Sequence, residues 1–304
     1  MPPAVEGRAA LDAAVAAVLD ARVTVVVGAS DAGKTTLVAA LASELAPRAT
    51  VGVVDGDVGQ SEIGPPTTVG LGRVRGRIVR LSDAEVIAFQ FVGVTSPARD
   101  IRSVVDATRR MVERARAEHL ERVLVDTSGL VLGWPGRELK VRKIEAVDPD
   151  LVLFLERGDE CAPIVERFAG RSRPRVLRLA APGRQGSRSQ IARREHRVQA
   201  FDAYLRAAHP ADLARSLLER PRGSSETDVV GGVCGLDDAD GNTIALGIIE
   251  GISRDAVSVR APLRRGAKVT RIRAGRERPD GTLLAPTPAR RASAPAGDGR
   301  DGAA

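Results

Sequence analysis

The chain has 304 residues, enough for one sizeable α/β domain and a small second module. Two distant cysteines, Cys161 and Cys234, argue against a disulfide framework or a metal site, and no apolar run marks a signal peptide or a bilayer span, so a cytoplasmic protein without a membrane partner is expected. A formal charge of +7 and a pI near 10.3 suit an anionic partner, but nearly all of it is Arg, which coding bias alone can produce, so the position of the charge says more than its sum.

Residues 4 to 20 read as an amphipathic helix leading into a buried strand, Val23 to Val27. The run Gly28, Ala29, Ser30, Asp31, Ala32, Gly33, Lys34, Thr35, Thr36 follows and fits G-x-x-x-x-G-K-[ST], and Leu37, Val38, Leu41 and Leu45 continue at helical spacing. Strand, glycine-rich loop and helix in that order make a phosphate cradle. Backbone N–H groups bind the oxygens, the helix N-terminus adds a favourable dipole, a solvent-facing Lys34 reaches the β- and γ-phosphates, and Thr35 offers its hydroxyl to Mg²⁺. The loop predicts a nucleoside triphosphate site and leaves open where the γ-phosphate goes.

A second strand, Thr50 to Val54, runs into Asp55, Asp57 and Gln60. Acids at the end of such a strand face the ligand crevice of an open α/β sheet, and two carboxylates two residues apart point to opposite sides and divide the work. Residues 73 to 93 hold two short strands, and Ser96-Pro97 starts a helix buried through Ile101, Val104, Val105, Thr108, Met111 and Val112. Arg122 to Asp126 is a strand ending in an acid, followed by Gly129, the usual arrangement for organising Mg²⁺. A helix over 136–146 and strands at 150–155 and 174–179 complete the alternation, which predicts a doubly wound, mostly parallel α/β sheet of the P-loop class.

From Arg171 to Arg197 nine arginines are opposed only by Glu195, and the second half, 187–206, reads as a helix started by Ser187 or Ser189. Arg193 and Arg197 share a face of it, and guanidinium forks suit phosphate oxygens, so the stretch is expected to be a basic phosphate-binding surface. His119, His196 and His209 form no cluster and receive no role. The expected division is an N-terminal helix over 1–20, a P-loop domain over 21–217 with a lid at about 183–206, and a linker over 218–226. A small β module over 227–275 and a disordered tail over 276–304 follow.

Four features together resemble the polynucleotide 5′-hydroxyl kinase family, which includes the kinase subunit of eukaryotic mRNA cleavage factor, a ribosome-biogenesis kinase and compact prokaryotic relatives. They are Asp31 inside the phosphate loop; Asp55-x-Asp57-x-Gly59-Gln60 with Pro65 downstream; Gly93-Val-Thr95-Ser96-Pro97; and Arg188, Arg193 and Arg197 ahead of Phe201 and Tyr204. The resemblance covers roughly residues 22 to 205 and implies ATP, or another nucleoside triphosphate, as donor, Mg²⁺ at Thr35, Asp55 and Asp126, and the 5′-hydroxyl end of RNA or DNA as acceptor. It implies Asp57 as general base, with Asp55 the second candidate, Lys34 and the lid arginines Arg188, Arg193 and Arg197 on the transferring phosphoryl group, and Gln60, Thr95, Ser96 and Gly129 on the acceptor side. Where eukaryotic members have Gly-Trp the chain has Gly129-Leu130, so Trp134 is the only candidate for clasping a base, with plain packing the alternative. The large eukaryotic N-terminal β-domain has no room here, and no protein partner is legible. The rival functions are a GTPase, which lacks its Asn-Lys-x-Asp motif here, a partitioning or metal-insertion ATPase, which carries a Lys where this chain has Ala29, and a nucleotide-bound scaffold without turnover.

Overall fold

The structure, a computed structural model, describes residues 3–182 and 189–284. Helix α1 (Pro3–Leu19) leads into β1 (Val23–Gly28), whose six residues are all buried, as a strand covered on both faces requires. The nucleotide-loop helix α2 (Lys34–Leu45), β2 (Val51–Gly56), β3 (Thr68–Val74) and β4 (Glu85–Phe91) follow, then α3 (Ile101–Ala117), β5 (Arg122–Thr127), α4 (Gly133–Val147) and β6 (Leu151–Glu156). A single turn of helix, α5 (Ala162–Val165), precedes β7 (Arg175–Ala180), and helix α6 (Gln190–Leu205) ends this half of the chain. Helix α3 does not begin at Ser96-Pro97 as expected: residues 97–99 form a short 3₁₀ turn, and the Asp100 carboxylate caps α3 by accepting from Ser103 N at 3.0 Å.

The seven strands order as β4-β3-β2-β5-β1-β6-β7. The five from β2 to β7 are parallel, while β3 and β4 join antiparallel at one edge. One apolar layer packs α3, α4 and α5 on one face of the sheet, and a second packs α1 and α2 on the other. β1 is flanked by β5 and β6, so the chain leaves it in one direction and returns on both sides. The C-terminal ends of β1, β2 and β5 therefore open onto the crevice where such sheets bind ligands.

The second module is larger than the sequence indicated. Its six-stranded sheet orders as β8-β12-β11-β10-β13-β9. It recruits β8 (His209–Ala214), expected in the first domain, and β9 (Leu218–Glu219), expected in the linker, before the short α7 (Glu226–Val229). β10 (Val233–Asp237), β11 (Thr243–Ile252), β12 (Ala256–Ala261) and β13 (Arg271–Ala274) complete it. β8 carries a weak apolar signal because it is a mostly exposed strand that pairs, among the described residues, only with β12 at the sheet edge. Residues 276–284, expected to be structureless, are folded. Arg276 N donates to Gly93 O, Glu277 bridges Leu283, and Glu277 is fully buried. The remainder of the expected tail, 285–304, lies outside the described residues.

Candidate active site

The phosphate loop leaves β1 at Gly28, where a Cβ would lie 2.3 Å from the Leu155 carbonyl oxygen on β6, so only glycine fits between the strands. Asp31 holds a positive φ of 58°; its carbonyl accepts from the Arg157 guanidinium, and its carboxylate lies 3.3 Å from Arg193 Nη2 on α6. Lys34 does not face solvent as expected. It is 6 % exposed, and its Nζ donates to the Ala29 carbonyl at 2.8 Å, because the loop wraps the stem of its own lysine. Burial lowers its pKa from the ordinary lysine value, against the opposing pull of Asp126, Asp57 and Asp31.

Strands β2 and β5 pair Asp55 directly with Asp126, bringing two buried carboxylates side by side. Burial, and then the charge of Asp126, pushes the Asp55 carboxyl up to about 7. Asp126 is also raised by burial, tempered by the Lys34 ammonium and by Thr35, whose Oγ1 donates to Asp126 Oδ2 at 2.6 Å. Asp55 spends its oxygens on the following loop. Oδ1 accepts from Asp57 N at 3.1 Å, and Oδ2 accepts from Glu62 N at 2.6 Å, Ile63 N at 3.1 Å and Ser61 Oγ at 3.3 Å. Among the described residues Asp57 accepts only through Oδ1, from Gly59 N and Gln60 N, and it lines the cleft.

The cleft has a volume of about 740 Å³ and runs from the phosphate loop past Asp55, Asp57 and Asp126 to Arg80, with Gly129 on its wall and Arg193 and His196 of α6 above it. Ser189 caps α6 by accepting from Ala192 N at 3.1 Å. Arg193 thus meets the loop. Arg194, one position on, pairs with Asp280 of the second module at 2.9 Å. Arg197 is half-buried; burial lowers its pKa, opposed first by the nearby Glu277. Gln60 donates weakly to the Arg193 carbonyl at 3.4 Å, tying the acid loop to α6. Arg188 lies outside the described residues.

Several residues expected on the acceptor side do not line the cleft. Trp134 is 70 % exposed and outside it. Thr95 and Ser96 are likewise absent from its wall, but the Thr95 carbonyl packs where a Cβ on Gly59 would lie 2.6 Å away, so this segment buttresses the acid loop. The first half of the basic stretch is committed elsewhere. Arg171 lies over the Phe168 ring and near Glu145, Arg173 pairs with Asp148 and Asp150, and Arg178 pairs with Glu156 and Asp159. These acids lie outside the stretch, so the run looked unopposed in sequence.

Two residues at the site carried no sequence expectation. Lys140 and Lys143 on α4 are completely buried; Lys140 Nζ donates to the Ser128 carbonyl and hydroxyl, and Lys143 Nζ donates to Gly56 O at 3.2 Å. Burial, reinforced by Lys143 and Lys34, drives the Lys140 pKa well below its ordinary value. Burial takes Lys143 to about 8 despite the pull of Asp57, Asp126 and Asp55. Their signal was two Lys three apart on a face otherwise formed by Leu139, Ile144 and Val147.

Among the described residues, no group of three or more His, Cys, Asp or Glu is arranged to hold a metal ion. The donors that suit a cation are the Thr35 hydroxyl and the Asp126 carboxylate, already in contact. One hydroxyl and one carboxylate fit Mg²⁺, which takes few protein ligands and completes its shell with water and phosphate oxygens.

Loop, strand-end acid and parallel sheet together define a P-loop nucleotide-binding protein. Residues 28–207 match the family described as mRNA cleavage and polyadenylation factor CLP1 P-loop, and the chain belongs to that family. It is 36 % identical over 182 residues to a polyribonucleotide 5′-hydroxyl-kinase of Pyrococcus horikoshii, covering 60 % of this chain and 49 % of that protein. A second such kinase, of Thermococcus kodakarensis, is 38 % identical over 195 residues, covering 63 % and 54 %. A third, of Methanocaldococcus jannaschii, is 32 % identical over 183 residues, covering 60 % and 50 %. The chain thus spans about half the length of the curated relatives it matches. In fold it is similar to Clp1p in the wild-type Clp1p–Pcf11p complex, with a TM-score of 0.70 at 11 % identity over 89 % of this chain and 79 % of that one. Among the described residues, no helix is long and apolar enough to cross a membrane.

Proposed function

We propose that the protein transfers the γ-phosphate of ATP, or another nucleoside triphosphate, to the 5′-hydroxyl end of a polynucleotide. The observation that carries this reading is the cleft itself. It continues beyond the phosphate loop to a carboxylate, Asp57, whose Oδ2 accepts no hydrogen bond among the described residues, and the lid helix presents a guanidinium above it. A triphosphate seated on the loop amides points its terminal phosphate toward that space, where a second substrate fits. The names of the archaeal relatives favour RNA as the acceptor.

In this mechanism the loop amides and Lys34 hold the β- and γ-phosphates. Thr35 and Asp126 would hold Mg²⁺, which supplies neutralisation of phosphate charge. Asp57 accepts the proton of the attacking hydroxyl. Asp55 keeps the acid loop in place, and Arg193 and Arg197 stabilise charge on the phosphoryl group and exclude water. The test is transfer of labelled γ-phosphate to matched RNA and DNA oligonucleotides with 5′-hydroxyl or 5′-phosphate ends. Label should appear only on the 5′-hydroxyl strands. ATP consumption that ignores the 5′ end would favour a switch ATPase instead.

A further inference from the structure

The second module grips the lid helix along most of its length. Phe201 packs with Phe91 of the first sheet and with Val233 and Leu246 of the second, and Tyr204 accepts from Leu246 N at 2.9 Å through its hydroxyl. Nearer the cleft, Arg194 pairs with Asp280, and a Cβ on Gly281 would lie 3.4 Å from Arg197 Nε. The same segment carries Glu277, whose carboxylate has no exposed surface. Its Oε1 accepts from Thr95 N at 3.0 Å and from Arg99 Nη1 at 2.8 Å. Its Oε2 is buried without a hydrogen-bond partner among the described residues, and so is Arg197 Nε. Of the charges acting on the Arg197 guanidinium, Glu277 is the strongest, and Asp57 attracts it from the cleft side.

A buried carboxylate oxygen and a buried guanidinium nitrogen are each costly to leave unpaired, and both belong to the contact between α6 and residues 277–281. We infer that Glu277, contributed by the second module, is a positioning residue for phosphoryl transfer: it sets the Arg197 guanidinium where α6 meets the cleft and, through Thr95, braces the acid loop at Gly59. The inference rests on the kinase reading above. It assigns the module a task at the reaction centre, since preorganised cations stabilise transferring charge only when held before it develops. Glu277 does not line the cleft; it acts through Arg197 and Thr95.

The test uses the full chain with Glu277→Gln, which keeps the volume and an acceptor for Thr95 N, alone and combined with Arg197→Ala. Glu277→Gln should slow single-turnover transfer to a 5′-hydroxyl RNA at least tenfold while ATP affinity stays within twofold. In the Arg197→Ala background the same change should cost less than twofold, because residues acting through one another are not additive. Binding of ADP with aluminium fluoride, a mimic of the transferring phosphoryl group, should weaken about tenfold in Glu277→Gln. If that variant does not fold, Glu277→Asp, which keeps the charge and retracts it by one methylene, carries the same cycle. Wild-type rates in a folded variant, or losses that simply multiply as a structural role would give, overturn the inference. If the wild-type protein phosphorylates no 5′-hydroxyl end, the kinase reading falls, and the aluminium fluoride arm still decides the coupling of Glu277 to Arg197.

Discussion

The Thr35 hydroxyl donates to Asp126 Oδ2 at 2.6 Å, joining the first turn of α2 to the end of β5 across the nucleotide crevice. That carboxylate is 2 % exposed and lies opposite Asp55 in the ladder, so two acids repel each other in a place poor in water. The buried Lys34 ammonium offsets part of that repulsion, and a bound cation would relieve more of it. Asp126→Asn removes the repulsion but leaves one acceptor oxygen where Thr35 Oγ1 and Thr127 N now use two, and it takes from Lys34 the acid that most supports its charge. We expect its melting temperature without Mg²⁺ to fall by roughly 2–4 °C, the shift of about 1 kcal/mol in a domain of this size. The Mg²⁺ dependence of ATP binding should fall at least tenfold. Thermal unfolding and calorimetry with and without Mg²⁺ check both, and a destabilised variant with normal Mg²⁺ dependence would refute the assignment.

Asp57 and Asp55 should separate cleanly under substitution. Asp57→Asn retains an acceptor for Gly59 N and Gln60 N, so the protein should fold and bind ATP, yet lose transfer by about 10²–10⁴-fold, the usual worth of a positioned base. Asp55→Asn sets an amide donor among four loop donors and leaves at least one unpaired, at about 1–3 kcal/mol. Its primary loss should be stability, seen as faster amide exchange over residues 57–63. Hydrogen exchange and single-turnover kinetics on both variants discriminate the roles.

The contrast shows what sequence could and could not carry. The loop, the buried strands and the strand-end acids are local patterns, so they were legible. Lys140 and Lys143 were not, because a lysine on a helix is ordinarily solvated and these are buried only by reaching the Ser128 and Gly56 oxygens on other elements. Glu277 was hidden in a segment whose composition resembles a tail. The pairing of Arg173 and Arg178 depends on Asp148, Asp150, Glu156 and Asp159, which the sheet brings alongside. Long-range pairing, rather than local propensity, was the missing information in each case.

Gly129 lines the cleft at very close range: a Cβ there would lie 2.5 Å from the Ser30 Cα and backbone nitrogen in the phosphate loop. Gly129→Ala must push that loop away. ATP affinity should drop at least tenfold, since the loop amides bind only in one arrangement. The melting temperature should fall by a few degrees, for a clash of about 1–3 kcal/mol. Nucleotide titration of a folded Gly129→Ala protein with wild-type affinity would contradict the close packing.

Arg171 and Arg173 are taken up by ring and ion-pair contacts, so they should contribute little to polynucleotide binding. Replacing both with Ala should leave oligonucleotide affinity and its salt slope within experimental scatter, because a cation that binds no phosphate releases no counterion. Stability should change by no more than about 1 kcal/mol per exposed pair. Titrations at several salt concentrations decide it. A slope reduced by about two would return these residues to the binding surface.

Arg193 and Arg194 are adjacent on α6 and should differ sharply. Arg193 Nη2 lies 3.3 Å from Asp31 Oδ2 over the phosphate loop, whereas Arg194 turns away to Asp280. In bound ATP the phosphates already have Lys34 and the loop amides, so Arg193→Ala should change ATP affinity only a few-fold. During transfer the charge shifts, and a guanidinium held over the loop is worth about 10³-fold or more, in the range of arginine fingers. Asp31→Ala frees Arg193 from its present partner and tests whether that pair restrains the lid. It should leave transfer equal or faster, and the further loss on adding Arg193→Ala should be at least as large as in the wild type. Arg194→Ala removes only a half-exposed pair and should stay within threefold of the wild-type rate. Single-turnover rates for the four proteins settle the register: if Arg194→Ala is the slow variant, the helix presents its other face to the phosphoryl group, and if neither is slow, α6 is not the lid.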